Sequence, residues 1–403
     1  MIGRRLRMLT AGESHGARLL GILDGVPAGV PLSAAAVDGY LWRRQGGVGR
    51  GARMKIERDR AEIVAGVWKG ETSGAPIGMT IENRSTIPED RQPVRTVPRP
   101  GHADLTGMLK HGLADANPAI ERSSARETAM RVALGAAAHA LFRELGIGVF
   151  GHVISIGGVD ASPDRSDWGA LLHARDRSPL YCADRAVEEA MLGRIGEAKE
   201  RQETLGGVAE VVAIGVPPGV GSYSQWDTRL EASLAAALLS IQSVKAAAIG
   251  DGVATAAELG RGAQDEIFWD EGIVRRTNRA GGIEGGITNG EPIVARAYFK
   301  PISTQRRPLR SVDLATGQET ECRYIRSDTL IVPAGTVVAE AMVAIALADA
   351  VLEKLGGDHL DDVRASLEAL LARLPWRRPG LPSVLTTAPA PPPEPAEEPA
   401  EET

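Results

Sequence analysis

The sequence predicts a mixed α/β (α+β) protein built as one large domain. Short apolar runs of strand length alternate with longer apolar-patterned segments of helix length. No Pro/Gly/Ser linker divides residues 1–375, and no repeat of fixed period occurs. Residues 376–403, with Pro-Ala-Pro-Pro-Pro-Glu-Pro and paired glutamates, read as a disordered acidic tail.

In chain order, Leu6–Thr10 reads as a strand feeding the loop Ala11–Gly16, and Leu19–Leu23 as a second strand closed by Gly25, Pro27 and Gly29. Ser33 is placed to cap a helix running to about Gln45, followed by the glycine loop Gly46–Gly51. Glu62–Val67 and Ile77–Glu82 are strand candidates, and Met54–Glu57 looks extended. The Pro-rich stretch Asn83–Gly101 is a long loop of the kind that carries function. Helices are expected over Leu105–Ala114 and Ala125–Leu145, the second opened by the capping-box pattern Ser124-Ala125-Arg126-Glu127. Strands (Gly148–Ile156, Val208–Val216, Ser243–Ile249, Pro292–Phe299) then mix with helices (Asp184–Gln202, Thr228–Ile241), and Thr336–Leu355 and Leu360–Leu374 close the chain.

Composition narrows the function classes. The net charge of −6 is concentrated in the five glutamates after Gly380, which leaves −1 for the body and no basic field for DNA. Aromatic residues are only 4 %, which disfavours stacking on single-stranded nucleic acid. The apolar stretch Thr336–Leu355 is broken by Glu340, Asp349, Glu353 and Lys354, so no membrane span is expected. With no apolar segment after the N-terminal arginines and only Cys182 and Cys322 as cysteines, a cytoplasmic protein without a disulfide framework or a metal site is expected.

Two motifs mislead. Gly12-Glu13-Ser14-His15-Gly16 has the nucleophile-elbow pattern of a serine hydrolase, yet only 13 residues precede Ser14, too few for the sheet such an elbow needs. Gly47-Val48-Gly49-Arg50-Gly51-Ala52 fits part of a dinucleotide fingerprint but follows a helix, where a strand is required.

Other segments concentrate chemistry. Arg43, Arg44, Arg50 and Arg53 sit among glycines that let backbone approach an anion. His15 and His102 lie in polar loops, the latter within Arg99-Pro100-Gly101-His102-Ala103-Asp104, where Asp104 could orient the imidazole or cap the next helix. Glu121-Arg122-Ser123-Ser124-Ala125-Arg126-Glu127-Thr128 puts hydroxyls and guanidiniums at a helix N-terminus, a natural anion site. Gly281–Gly286 and Lys300-Pro301-Ile302-Ser303-Thr304 suit a phosphorylated planar cofactor. Together they predict a pocket for a small polyanion with two histidines for proton transfer.

These motifs, with Arg326-Ser327-Asp328, resemble in order and spacing those of the chorismate synthase family over roughly residues 4–355. The resemblance implies a β-α-β sandwich with helices around layered sheets, and typically a homotetramer. It implies a lyase that removes phosphate from 5-enolpyruvylshikimate 3-phosphate by anti 1,4-elimination to give chorismate, the last shared step of aromatic amino-acid biosynthesis. Reduced FMN (FMNH2) is required without net redox change.

Residue by residue, the family pattern puts proton transfer on His15 and His102, one near the departing phosphate and one near the flavin, and assigns Asp328 to removal of the hydrogen together with flavin N5. Arg122, Ser123, Ser124, Gln242, Ser243, Gly285, Lys300, Pro301, Ile302, Ser303, Thr304 and Arg326 match FMN-contacting positions. Arg44 and Arg50 match positions for NADPH or the anionic substrate, and Arg53 and Arg126 would join the substrate's anion shell. Some family members reduce their own flavin with NADPH. With no convincing dinucleotide fingerprint, reduced FMN is expected here from a separate flavin reductase. Val48, Ala116–Ala119 and Thr329–Ile331 depart from the usual family residues without removing any of these groups.

Overall fold

The computed structural model describes residues 3–49, 58–322, 328–374 and Pro389. Two antiparallel sheets frame it. The first orders the strands Arg7–Ala11, Arg18–Asp24, Ile77–Glu82 and Ala61–Ala65. The second orders Val244–Ile249, Ile293–Phe299, Gly207–Ile214, Gly148–Ile156 and the short Val159–Asp160.

The residues explain why the sheets differ. Along Arg18–Asp24, Leu19, Gly21 and Leu23 are buried while Leu20 and Ile22 are exposed, so one face of this sheet meets the core and the other does not. Gly148–Ile156 is buried at nearly every position because both of its faces are covered. On one side lies the helix Val332–Leu355; on the other, Phe150, Val212 and Ile214 pack with Leu171 of the helix Trp168–Asp176.

The two longest helices occupy the middle of the sandwich. Thr128–Glu144 lies on the first sheet, Val332–Leu355 on the second, and the helices pack on each other. Their approach depends on Gly135, where a Cβ would stand 2.6 Å from the Ala341 methyl. Gly151 lets Val332–Leu355 approach the second sheet in the same way, since a Cβ there would lie 2.8 Å from Thr336 Cγ2.

Val332–Leu355 is long and apolar enough to cross a membrane by length and composition, which the expectation from its charged residues did not allow. Within this protein 89 % of its most apolar window is buried, and the helix forms the centre of the core. Its one deeply buried charge, Glu340, accepts a two-pronged contact from Arg43 at 2.8 and 3.0 Å and a hydrogen bond from Gly151 N–H at 2.8 Å. Arg43 is therefore consumed by the core and leaves the group of arginines read as anion ligands.

Most sequence-derived elements recur within a residue or two. Ser33 caps Ala34–Gln45 by accepting from Ala36 N–H, and Asp184 caps Arg185–Glu200. The expected capping box at Ser124 does not form. Ser124 instead caps the 3-10 turn Ala125–Glu127, and the Glu127 side chain turns to Thr10, Arg131 and Gln242. The helices Asn117–Ser123 and Trp168–Asp176 and the hairpins Ile267–Trp269/Ile273–Arg275 and Arg310–Asp313/Gln318–Glu321 were not foreseen, because such short, half-exposed segments carry little apolar periodicity. The extended reading of Met54–Glu57 and the acidic tail lie outside the described residues, apart from Pro389 in the tail.

Candidate active site

Strand Arg7–Ala11 runs into a loop that delivers Ser14 and His15 before strand Arg18–Asp24 begins. A nucleophile elbow joins a strand to a helix, whereas this loop joins two antiparallel strands. Ser14 is also buried, with its Oγ accepting from Ser124 Oγ at 3.1 Å. The hydrolase reading fails on both counts.

The loop is held from outside. Asn83, just after strand Ile77–Glu82, donates through Nδ2 to the carbonyls of Glu13 and Gly16 at 3.1 and 2.7 Å. Its Oδ1 accepts from Arg126 Nε at 2.8 Å. From the helix Asn117–Ser123, Glu121 meets His15 Nδ1 at 2.8 Å.

Behind this loop lies a buried charge cluster. Arg126 Nη1 donates to Asp59 Oδ1 at 2.6 Å, and Arg44 Nη1 lies 3.4 Å from Asp59 Oδ2. Arg44 is fixed further by Thr128 Oγ1 and by the Ala125 carbonyl, which accepts at 3.0 Å. All three side chains are buried. Among the described residues, two guanidiniums share this one carboxylate, which holds both in place beside the His15 loop.

A second cluster forms around His102. Asp104 Oδ1 lies 2.5 Å from His102 Nδ1, while Arg99 donates to Asp104 Oδ1 and Oδ2 at 2.9 and 2.8 Å. Burial alone would raise the Asp104 carboxyl. The hydrogen bonds from His102 and Arg99 outweigh it and hold the group well below the usual carboxylate range. Asp104 is the first residue of the helix Asp104–His111, whose N-cap, Ala103, has no side-chain cap. Of the two roles open in the sequence, orientation of the imidazole is the one observed.

Lys300 and Ser303 both donate to the Gly101 carbonyl beside His102, and Thr304 Oγ1 lies 3.3 Å from Arg99 Nη1. The carbonyl of Ile302 accepts from Thr204, and Pro301 stays exposed. The Lys300 N–H donates to the carbonyl of Ser243, which takes a left-handed backbone at φ +70°. Next to it, Gln242 Nε2 donates to Glu127, which also receives Thr10 and Arg131. Arg122 reaches the same corner, donating to the Thr10 carbonyl at 3.0 Å. A continuous line of contacts thus links the His15 region to the His102 region.

Ser123 turns back toward the Ile120 carbonyl of its own helix, at 3.5 Å. Gly285 and Gly286 make the two-residue turn between Ile283–Glu284 and Ile287–Thr288, and the space above Gly285 is open, with no heavy atom of the described residues within 4 Å of where a Cβ would stand. Asp328 is half-buried, and the following Thr329 N–H donates to the Gly49 carbonyl at 2.9 Å. That bond brings Asp328 beside the glycine loop. Arg50, Arg53 and Arg326 lie outside the described residues.

Asp59, Asn83 and Glu121 were not selected as site residues from sequence. Asp59 sits in Arg58-Asp59-Arg60, a run of alternating charge, and Asn83 opens the long Pro-rich loop Asn83–Gly101. Neither carries a local signal of what it will touch.

The chain is similar to known proteins along most of its length. The chain matches the family model for chorismate synthase over residues 6–352. It is 49 % identical over 389 residues to the chorismate synthase of Pelobacter propionicus, covering 92 % of this chain and 99 % of the relative. To that of Paenarthrobacter aurescens it is 48 % identical over 390 residues, covering 92 % and 98 %. A crystal structure of chorismate synthase superposes with a TM-score of 0.77 at 40 % identity, covering 93 % of this chain and 99 % of that one.

Proposed function

Because this chain belongs to the chorismate synthase family and acts as a chorismate synthase, a lyase of aromatic amino-acid biosynthesis, we propose that its described clusters divide the 1,4-elimination of phosphate from 5-enolpyruvylshikimate 3-phosphate among them. The observation that carries this reading is the buried Arg44–Asp59–Arg126 group next to the loop of His15.

The substrate carries a phosphate and two carboxylates. Arg44 and Arg126, with Arg50 and Arg53, bind these anions, and Arg44 and Arg50 are also the candidates for NADPH. Arg44 and Arg126 are already immobilised by Asp59, Thr128 and Asn83, so little reorganisation is needed when charge builds on the leaving phosphate. One of His15 and His102 donates to the departing phosphate. The other holds a proton at the cofactor side. Asp328 receives the hydrogen removed from the substrate as the C–O bond to phosphate breaks.

The residues present fit a flavin: Arg122 and Lys300 suit its phosphate, and Gln242 Oε1, a buried acceptor without a hydrogen-bond partner among the described residues, suits an N–H of the ring or a hydroxyl of the ribityl chain. The space over Gly285 is open. Arg122, Ser123, Ser124, Gln242, Ser243, Gly285, Lys300–Thr304 and Arg326 would hold reduced FMN. When bound, it supplies electron density that stabilises the substrate as phosphate leaves.

We assign residues 1–375 to the catalytic unit and 376–403 to an acidic tail. The protein works in the cytoplasm on a small-molecule substrate and takes its reduced flavin from a separate reductase. The exposed Leu9, Leu20, Ile22 and Val64 on the first sheet support self-association, which we read as a homotetramer. The deciding experiment is an anaerobic assay with reduced FMN, following phosphate and chorismate together. Flavin uptake without phosphate release would leave only a binding protein.

A further inference from the structure

We propose that Glu121 sets the tautomer of His15 and is thereby a positioning residue for the reaction; the catalytic part of this statement rests on the reading of His15 given above. Glu121 touches the His15 loop three times. Its backbone carbonyl accepts from Ser14 N–H at 3.1 Å. Its Oε2 accepts from His15 N–H at 2.7 Å, and its Oε1 lies 2.8 Å from His15 Nδ1. One residue of a short helix therefore fixes both the path of the loop and the plane of the ring.

The chemistry of the pair decides where the ring hydrogen sits. A carboxylate offers acceptors only, so Nδ1 carries the hydrogen and Nε2 keeps the lone pair. Nε2 can then take up a proton and return it without any turn of the ring. The Glu121 side chain is 11 % exposed and that of His15 is 27 % exposed, so the joint is sheltered while the ring keeps an open side. Among the described residues, the other charged groups nearby do not duplicate this contact. Glu13, in the same loop, lies against Gly16. Arg126 connects to the loop through Asn83, and Arg122 turns away to Thr10.

His102 is held differently. Its carboxylate, Asp104, is shared with Arg99, whereas Glu121 gives one oxygen to the His15 ring and the other to the His15 backbone. That second bond makes an amide substitution informative. In Glu121→Gln the backbone N–H of His15 retains the amide oxygen, and the amide NH2 faces Nδ1. An NH2 group donates, so the ring must present a lone pair at Nδ1 and move its hydrogen to Nε2.

The test is nitrogen NMR of the full-length chain labelled in its seven histidines, at a pH where the rings are neutral, with His15 assigned by the signal lost in His15→Asn. The wild type is expected to carry the hydrogen on Nδ1 and Glu121→Gln on Nε2. Glu121→Ala removes the preference and gives a mixture. Turnover of Glu121→Gln is expected to fall about 10²-fold, the lower range for a misdirected acid or base, with flavin affinity unchanged. A wild-type ring protonated at Nε2, or a tautomer that neither variant alters, overturns the proposal. If Glu121→Gln does not fold, the wild-type and Glu121→Ala spectra still decide. Full turnover in His15→Asn would remove the catalytic reading of His15, while the tautomer assignment would stand or fall on the spectra alone.

Discussion

Arg126 donates to Asp59 across 2.6 Å with both side chains withdrawn from solvent, at 5 % and 0 % exposure. The same carboxylate faces Arg44, so one buried anion sets the spacing of two cations. Such a group is costly to break, because removing one partner strands buried charge.

Asp59→Ala is therefore expected to destabilise the fold by about 3–5 kcal/mol, the range for an opened buried ion pair. Urea unfolding of the variant checks this. A loss indistinguishable from that of a surface substitution would mean that the arginines do not depend on Asp59.

Arg50→Ala tests the anion shell at a residue other than that buried trio. A lost charge-assisted bond in a desolvated site is worth roughly 1.5–3 kcal/mol. We expect substrate affinity to fall accordingly while flavin affinity holds, and Arg126→Ala to show the same order of preference. Titration of each variant with substrate and with FMN separates the two, and unchanged substrate binding would place these residues outside the site.

His15→Ala, His102→Ala and Asp328→Ala are each expected to keep the fold and to lower turnover by about 10²–10⁴-fold. Circular dichroism and single-turnover phosphate release provide the two measurements. Retention of most activity by both histidine variants would contradict the division of proton transfer proposed here.

Acid should weaken the fold in two stages. His139, stacked on Tyr40 at 4.6 Å, is pushed from 6.5 down to about 4, first by burial, with Glu340 opposing. Between those values the unfolded chain binds a proton that the folded chain refuses, so stability falls as pH falls. Burial would raise Glu340, but the charge of Arg43 outweighs it and holds the group at about 2, against 4.5 unperturbed. Its contribution is complete above pH 4.5 and is lost as pH falls toward 2. His139→Phe keeps the stacked ring and should flatten the first stage, and it also removes a charge that helps hold Glu340 down in the second. Urea midpoints at several pH values for both proteins decide, and parallel curves would exclude His139.

Deletion of residues 380–403 should leave turnover and the melting temperature nearly unchanged, since this stretch combines many prolines and five glutamates with no apolar periodicity. A large drop in either would make the tail part of the working structure.

The sequence alone determined the mixed fold class, most of the longer strands and helices, and the family's motifs. Those features are local: apolar spacing, a cap such as Ser33, and short runs such as Arg122–Arg126 are written in adjacent residues. What each side chain touches was decided by tertiary structure. Arg43 and Arg44 are neighbours on one helix, yet Arg43 turns to Glu340 in the core and Arg44 to Asp59 in the site. Asp104 orients His102 instead of capping its helix, and Glu127 leaves its capping box for Gln242, 115 residues away. Asp59, Asn83 and Glu121 entered the site only when separate strands, loops and a short helix converged. A buried charge takes whichever partner the packed sheets and helices bring within hydrogen-bond reach, and that partner's place in the chain is set by topology.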